Sequence, residues 1–96
     1  DCRPAAFFEP MFRALSQWAA TNRQRLFLGE FGMPASPDCL ATLERFLTLT
    51  ADRQVWVGWT YWAGGGWWAN YPFSIAPRAD GGDAPQMAVV ERYLGK

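Results

Sequence analysis

The chain has 96 residues, of which 50% are hydrophobic and 17% aromatic, and its nine Lys and Arg balance nine Asp and Glu. Without a basic excess, a nucleic-acid or anionic-membrane partner is not expected. The apolar content is too high for a disordered segment, and no apolar run approaches the roughly 18 residues of a membrane span. Because the sequence has no His, imidazole catalysis and His-based metal sites are excluded, and we expect no metal and no cofactor.

The first half of the chain predicts a helix, a strand and a second helix. Apolar residues recur at helical spacing over residues 7–22, which indicates an amphipathic helix. A short apolar run beginning at Leu26 predicts a buried strand of about five residues, followed by a loop over 32–37. Ser36 can cap a second helix and Pro37 suits its first position. We expect that helix to end at Asp52 and Arg53.

The second half predicts one more strand, a long loop and a final helix. Residues 55–63 are rich in β-branched and aromatic side chains and are followed by three glycines, which is typical of a strand that ends abruptly. Residues 67–83 predict an irregular loop, and 84–94 a helix that Asp83 could cap. Two parallel strands with three helices cannot close a sheet, so we expect an α/β portion of a larger domain.

Each predicted strand ends in a residue suited to catalysis or binding. Glu30 ends the first, and a charge there is costly unless it is paired or functional. Pairing with an Arg or with loop amides is one interpretation, and a catalytic carboxylate is the other. Trp62 ends the second strand, either as a core residue or as a flat platform for a sugar ring. Trp67, Trp68 and Tyr71 follow in a loop with little core to fill, which favours a binding surface.

The two cysteines leave two interpretations open. Cys2 and Cys39 do not form a C-x-x-C motif, so zinc and thioredoxin-like sites are not indicated. They are either two buried thiols or one disulfide. A disulfide would close a loop of about 38 residues and stabilise the fold by about 3–4 kcal/mol.

Three segments together resemble the C-terminal end of glycoside hydrolase family 5, and most closely its secreted endo-β-1,4-glucanases. They are LFLGEFG (26–32), VWVGWTYWAGGGWW (55–68) and YPFSIAP (71–77). The resemblance implies part of a (β/α)₈ TIM barrel, from helix six through strands seven and eight to helix eight. It implies that Glu30 is the nucleophile, and that Trp62 lies under the sugar next to the scissile bond. It further implies substrate contacts from Trp67 and Trp68.

The same resemblance implies a Cys2–Cys39 disulfide, secretion, a β-glucan polysaccharide as substrate and no cofactor. The sequence departs from the family because it contains no Asn-Glu pair, which carries the general acid/base in relatives. Retaining hydrolysis needs two carboxylates. We therefore expect the second one in the N-terminal part of the same barrel, with Asp1 an arbitrary start.

Three alternatives remain open from the sequence. The same chemistry could act on mannan, xyloglucan or mixed-linkage glucan. A stand-alone carbohydrate-binding module would fit the length and the Trp content, although such modules are mostly β-sandwiches and three helices are predicted here. A degenerate, inactive barrel is the third.

Overall fold

The computed structural model describes residues 2–95, so Asp1, expected to be an arbitrary start, lies outside the described residues. Helices and strands follow in the predicted order. They are α1 (Ala5–Thr21), β1 (Leu26–Phe31), α2 (Pro37–Leu49), β2 (Trp56–Tyr61) and α3 (Pro85–Val90), with 3₁₀ turns at Gly66–Trp68 and Glu91–Tyr93. The described residues combine three α-helices with a two-stranded sheet, which is not the β-sandwich expected of a stand-alone carbohydrate-binding module.

Helix starts follow the predicted chemistry at α2 but not at α3. The Ser36 side chain accepts a hydrogen bond from the Cys39 N–H, and Pro37 occupies the first helical position, as predicted. The predicted cap of α3 is wrong. Ala84 is the N-cap and makes no side-chain cap bond, so Asp83 lies one residue too early to cap the helix. Proline at the first position of α3 removes one of the four N–H groups that have no partner within the helix.

The hydrophobic core lies between the sheet and the helices. Phe12 of α1, Phe46 of α2 and Trp56 of β2 are buried there, with ring centroids 4.9 Å apart for Phe12 and Phe46 and 5.6 Å apart for Phe12 and Trp56. The Trp56 indole N–H donates to the Ser16 hydroxyl at 2.9 Å, so its polar atom is satisfied. On the other face of the sheet, Phe27 and Val57 remain 55% and 47% exposed.

β1 and β2 are parallel, and their register shifts twice, between Leu26 and Phe27 and between Leu28 and Phe31. The second shift is a bulge with an extra residue in β1. Leu28 pairs with Trp59 and Phe31 with Tyr61, so β1 advances three residues while β2 advances two. In a regular strand, residues three apart point to opposite faces. The bulge lets Leu28 and Phe31 both pack in the core, and it leaves Glu30 exposed at the carboxyl end of the strand.

Covalent and ionic contacts join the helices to each other. Cys2 and Cys39 form the predicted disulfide, with their Cα atoms 5.1 Å apart. Glu9 and Glu44 each have a partner on another element. The Arg45 Nε donates to Glu9 at 2.6 Å, and the Tyr93 hydroxyl donates to Glu44 at 2.7 Å. These hydrogen bonds lower the pKa of both carboxyl groups, and the pairs link α1 and the C-terminal turn to α2.

The described residues form an elongated body of 47 × 25 × 21 Å with a radius of gyration of 14.2 Å. A compact domain of this length would have a radius of gyration of about 12.5 Å. No helix among residues 2–95 is long and apolar enough to cross a membrane.

Candidate active site

Glu30 stands at the carboxyl end of β1 as an exposed carboxylate. It forms no hydrogen bond or ion pair with any other residue in the 2–95 range. The structural interpretation, in which an Arg or loop amides neutralise Glu30, therefore finds no support in this part of the chain. An exposed carboxylate is free to meet a ligand, and the carboxyl ends of parallel strands are where barrel enzymes place catalytic groups.

Trp62 follows β2 at the same end of the sheet as Glu30. Its backbone N–H donates to the carbonyl of Phe31, the residue after Glu30, at 2.7 Å. The Trp62–Ala63 peptide bond is cis. On the far side, Ala63 exchanges hydrogen bonds with the returning loop, donating to Phe73 at 3.4 Å and accepting from Ile75 at 2.9 Å. Backbone hydrogen bonds to β1 and to the returning loop thus hold the segment of Trp62, the residue that the sequence indicates as a sugar platform.

Gly32 makes this close approach possible. A Cβ atom built on Gly32 would lie 1.8 Å from the carbonyl oxygen of Trp62, far inside van der Waals contact. Glycine is required here because two stretches of backbone meet, one from each strand end. The spacing between the strand end with Glu30 and the strand end with Trp62 therefore depends on residue 32 having no side chain.

The side chain of Trp62 begins a row of aromatic rings along the loop. Trp62 and Trp68 meet edge to face at 4.9 Å, Trp68 and Tyr71 lie 5.1 Å apart, and Tyr71 stacks on Phe73 at 5.3 Å. The Trp62 indole N–H also donates to the Tyr71 hydroxyl at 3.3 Å. Trp62 is still 39% exposed, so the row supports its ring without burying it.

Trp67 differs from its neighbour Trp68. It is 88% exposed and takes no part in the aromatic row. It follows three glycines, and Gly65 has the positive φ of 104° that glycine adopts without strain. Such an exposed indole has no packing role among the described residues, which is typical of a binding residue.

Two residues that the sequence analysis did not single out connect the loops behind the site. The Tyr61 hydroxyl donates to the Met33 carbonyl at 3.1 Å and accepts from the Met33 N–H at 3.2 Å. Burial raises the pKa of Tyr61, which keeps its hydroxyl protonated. The buried Gln86 donates to the carbonyls of Met33 and Pro72. No local pattern marks Gln86, because its partner Met33 is 53 residues away in sequence.

A recess of about 950 Å³ opens next to this loop, but Glu30 and the tryptophans do not line it. Its walls come from residues between Ala69 and Asp80, together with Ala35, Ala84 and Gln86. Among residues 2–95, no group of three or more Cys, Asp or Glu side chains is placed to hold a metal ion. The candidate site therefore lies at the exposed carboxyl ends of the two strands, with Glu30 on β1 and Trp62, the first ring of the aromatic row, after β2.

Comparison with known proteins gives matches over most of the chain. No protein-family model matches it. It is 30% identical over 83 residues to a probable endo-β-1,4-glucanase B of Neosartorya fischeri, covering 85% of this chain and 25% of the relative.

Solved structures extend the similarity to the fold. An endo-β-1,4-glucanase of Xanthomonas axonopodis pv. citri, in a triple-mutant form, is 39% identical, with a TM-score of 0.85 over 97% of this chain and 30% of that one. A structure of XacCel5A with cellopentaose is 38% identical, with a TM-score of 0.87 over 98% of this chain and 31% of that one. The chain thus spans between 25% and 31% of the length of these relatives.

Fold and sequence together show that the chain is similar over most of its length to endoglucanases of glycoside hydrolase family 5, whose cellulases are TIM barrels. The resemblance predicted from the three motifs is confirmed, as is the α/β class.

Proposed function

We propose that this chain is the C-terminal part of the catalytic barrel of a retaining endo-β-1,4-glucanase, with Glu30 as its nucleophile. The observation that carries the proposal is the exposed Glu30 carboxylate at the end of β1, which has no partner among residues 2–95. The next residue, Phe31, accepts a hydrogen bond from the backbone N–H of Trp62. In this assignment β1 and β2 are strands seven and eight of the barrel.

The surfaces left uncovered support an assignment to part of a barrel. Phe27 and Val57 are exposed on the sheet face that would point into a barrel. On α1, Phe7, Met11, Leu15 and Trp18 form an exposed apolar stripe at helical spacing. The elongated shape and the share of the relatives' length that the chain spans agree with this. Neighbouring strands and helices of the same barrel are the partners that such surfaces need.

The chemistry follows from one carboxylate here and one elsewhere in the barrel. A Glu30 oxygen attacks the anomeric carbon and forms a glycosyl-enzyme, while the second carboxylic acid protonates the departing glycosidic oxygen. That second group then takes a proton from water, which displaces Glu30 and restores the original configuration. Trp62, with Trp67 and Trp68 nearby, supplies apolar faces on which pyranose rings stack.

Internal bonds of a β-1,4-glucan are the proposed substrate, because the relatives carry the name endo-β-1,4-glucanase and XacCel5A was solved with cellopentaose. The disulfide supports a secreted protein, since disulfides persist in oxidising compartments. The chemistry needs no cofactor.

Assays of the full-length protein on matched polysaccharides test this function. We expect the viscosity of soluble cellulose derivatives to fall well before reducing ends accumulate, and the first product anomer to be β by NMR. Mannan and xyloglucan serve as parallel substrates. Faster cleavage of either would replace the glucan assignment, and an α first product would contradict the retaining mechanism.

Replacing Trp67 by Ala tests its predicted substrate contact. An indole stacked on one sugar ring contributes about 1–2 kcal/mol through buried apolar area. We therefore expect KM for a soluble β-glucan to rise about five- to thirtyfold with kcat little changed. Trp67→Phe, which keeps a flat ring, should lose less. An aryl cellobioside, which offers only two sugar rings, is the control substrate, and its KM should change less. An unchanged KM for the polymer would remove Trp67 from the binding surface.

A further inference from the structure

The Thr60 side chain lies on the face of the sheet opposite the core. Thr60 stands between Trp59 and Tyr61, both of which pack against the core. Because side chains alternate along a strand, Thr60 points away from the core, and it is exposed. Its hydroxyl donates a hydrogen bond to the carbonyl of Gly29, the residue before Glu30.

This hydrogen bond falls within the bulge of β1. Gly29 and Glu30 are the two residues between the paired positions Leu28 and Phe31, where the regular register is lost. Glycine also restricts its own backbone less than any other residue. The peptide group that precedes Glu30 therefore needs a constraint from outside β1, and Thr60 supplies one.

Glu30 is thereby held through its backbone on both sides by β2. Before it, the Gly29 carbonyl accepts from Thr60, and after it, the Phe31 carbonyl accepts from the Trp62 N–H. The second bond extends the regular ladder and needs no particular side chain. The first depends on a hydroxyl at one position of the sequence.

We propose that Thr60 is a positioning residue that sets the direction of the Glu30 carboxylate by fixing the Gly29–Glu30 peptide group. The proposal rests on the proposed function, in which Glu30 is the nucleophile. A nucleophile must lie close to the anomeric carbon and in line with the departing bond. Misplacement by about 1 Å can cost roughly 100-fold in rate.

The test uses the full-length enzyme and the variants Thr60→Val and Thr60→Ser. Valine keeps the shape of threonine and suits a strand but cannot donate, whereas serine keeps the hydroxyl. The readout is the rate of covalent inactivation by 2,4-dinitrophenyl 2-deoxy-2-fluoro-β-cellobioside. In that step the carboxylate bonds to the anomeric carbon while dinitrophenolate leaves with the electron pair, so no general acid is needed.

We expect Thr60→Val to lower both the inactivation rate constant and kcat by roughly 10- to 100-fold, with KM little changed. Thr60→Ser should restore both to within a fewfold of the wild type. Thr48→Val is the matched control, because the Thr48 hydroxyl also donates to a backbone carbonyl, that of Arg45, on the exposed surface of α2. It should leave the inactivation rate unchanged.

Wild-type inactivation kinetics in folded Thr60→Val, or equal losses in the Val and Ser variants, would overturn the positioning role. If Thr60→Val does not fold, as judged by circular dichroism, Thr60→Ala takes its place with the same expectations. Failure of the proposed function has a different signature: Glu30→Gln would then keep its activity, whatever the Thr60 variants do.

Discussion

Glu30→Gln in the full-length enzyme is expected to lower kcat on soluble β-glucan by about four orders of magnitude or more, the scale seen when a catalytic nucleophile is removed. Glutamine keeps the size of the side chain but cannot form the glycosyl-enzyme. Because Glu30 is exposed and has no partner among residues 2–95, the change should leave the fold intact. Circular dichroism and thermal unfolding check that expectation alongside the rate.

Glu91→Gln is the matched control for this loss. Glu91 is also an exposed carboxylate, and it lies in the C-terminal 3₁₀ turn away from both strand ends. The control should retain wild-type kcat and KM. Substantial activity in Glu30→Gln would show that the nucleophile lies elsewhere, and a drop shared by both variants would point to a general effect of carboxylate loss.

Gly32→Ala is expected to have the largest effect on stability. The added methyl group would lie 1.8 Å from the Trp62 carbonyl oxygen. That oxygen belongs to backbone, which cannot rotate aside as a side-chain end can. Either the strand ends separate or the protein unfolds, and we expect a loss of about 3 kcal/mol or more in the free energy of unfolding. Urea or thermal unfolding of the full-length protein measures it.

The control for Gly32→Ala is Gly66→Ala, where a built Cβ meets no described atom within 4 Å. It should change the free energy of unfolding by less than about 1 kcal/mol. If the Gly32 variant folds with wild-type stability, the strand ends are not in the contact described here. If it folds but loses activity, the spacing between Glu30 and Trp62 is what the glycine maintains.

Local chemistry made much of this fold predictable from the sequence. The Ser36–Pro37 pair fixes the start of α2 through a cap that needs only neighbouring residues. The apolar runs identify both strands, and the order of helices and strands identifies a parallel pair. Glu30 and Trp62 could be selected because strand ends in parallel α/β folds carry function.

Features that depend on distant residues were not predictable. The bulge in β1 lets Leu28 and Phe31 both pack in the core. That requirement depends on where the helices lie, which the strand's own sequence does not show. The Gln86 bonds to Met33 and Pro72 likewise join segments far apart in sequence. The contacts of Arg45 with Glu9 and of Tyr93 with Glu44 also join different elements, and nothing near either glutamate in sequence indicates them.

Location of the covalent intermediate tests the central claim most directly. The full-length enzyme is inactivated with the fluorinated cellobioside, digested with protease at low pH and analysed by tandem mass spectrometry. We predict one labelled peptide, carrying the 2-fluorocellobiosyl group on Glu30 within the sequence LFLGEFG. A label on any other carboxylate, or turnover of natural substrate without a trappable intermediate, would contradict the assignment of Glu30 as the nucleophile.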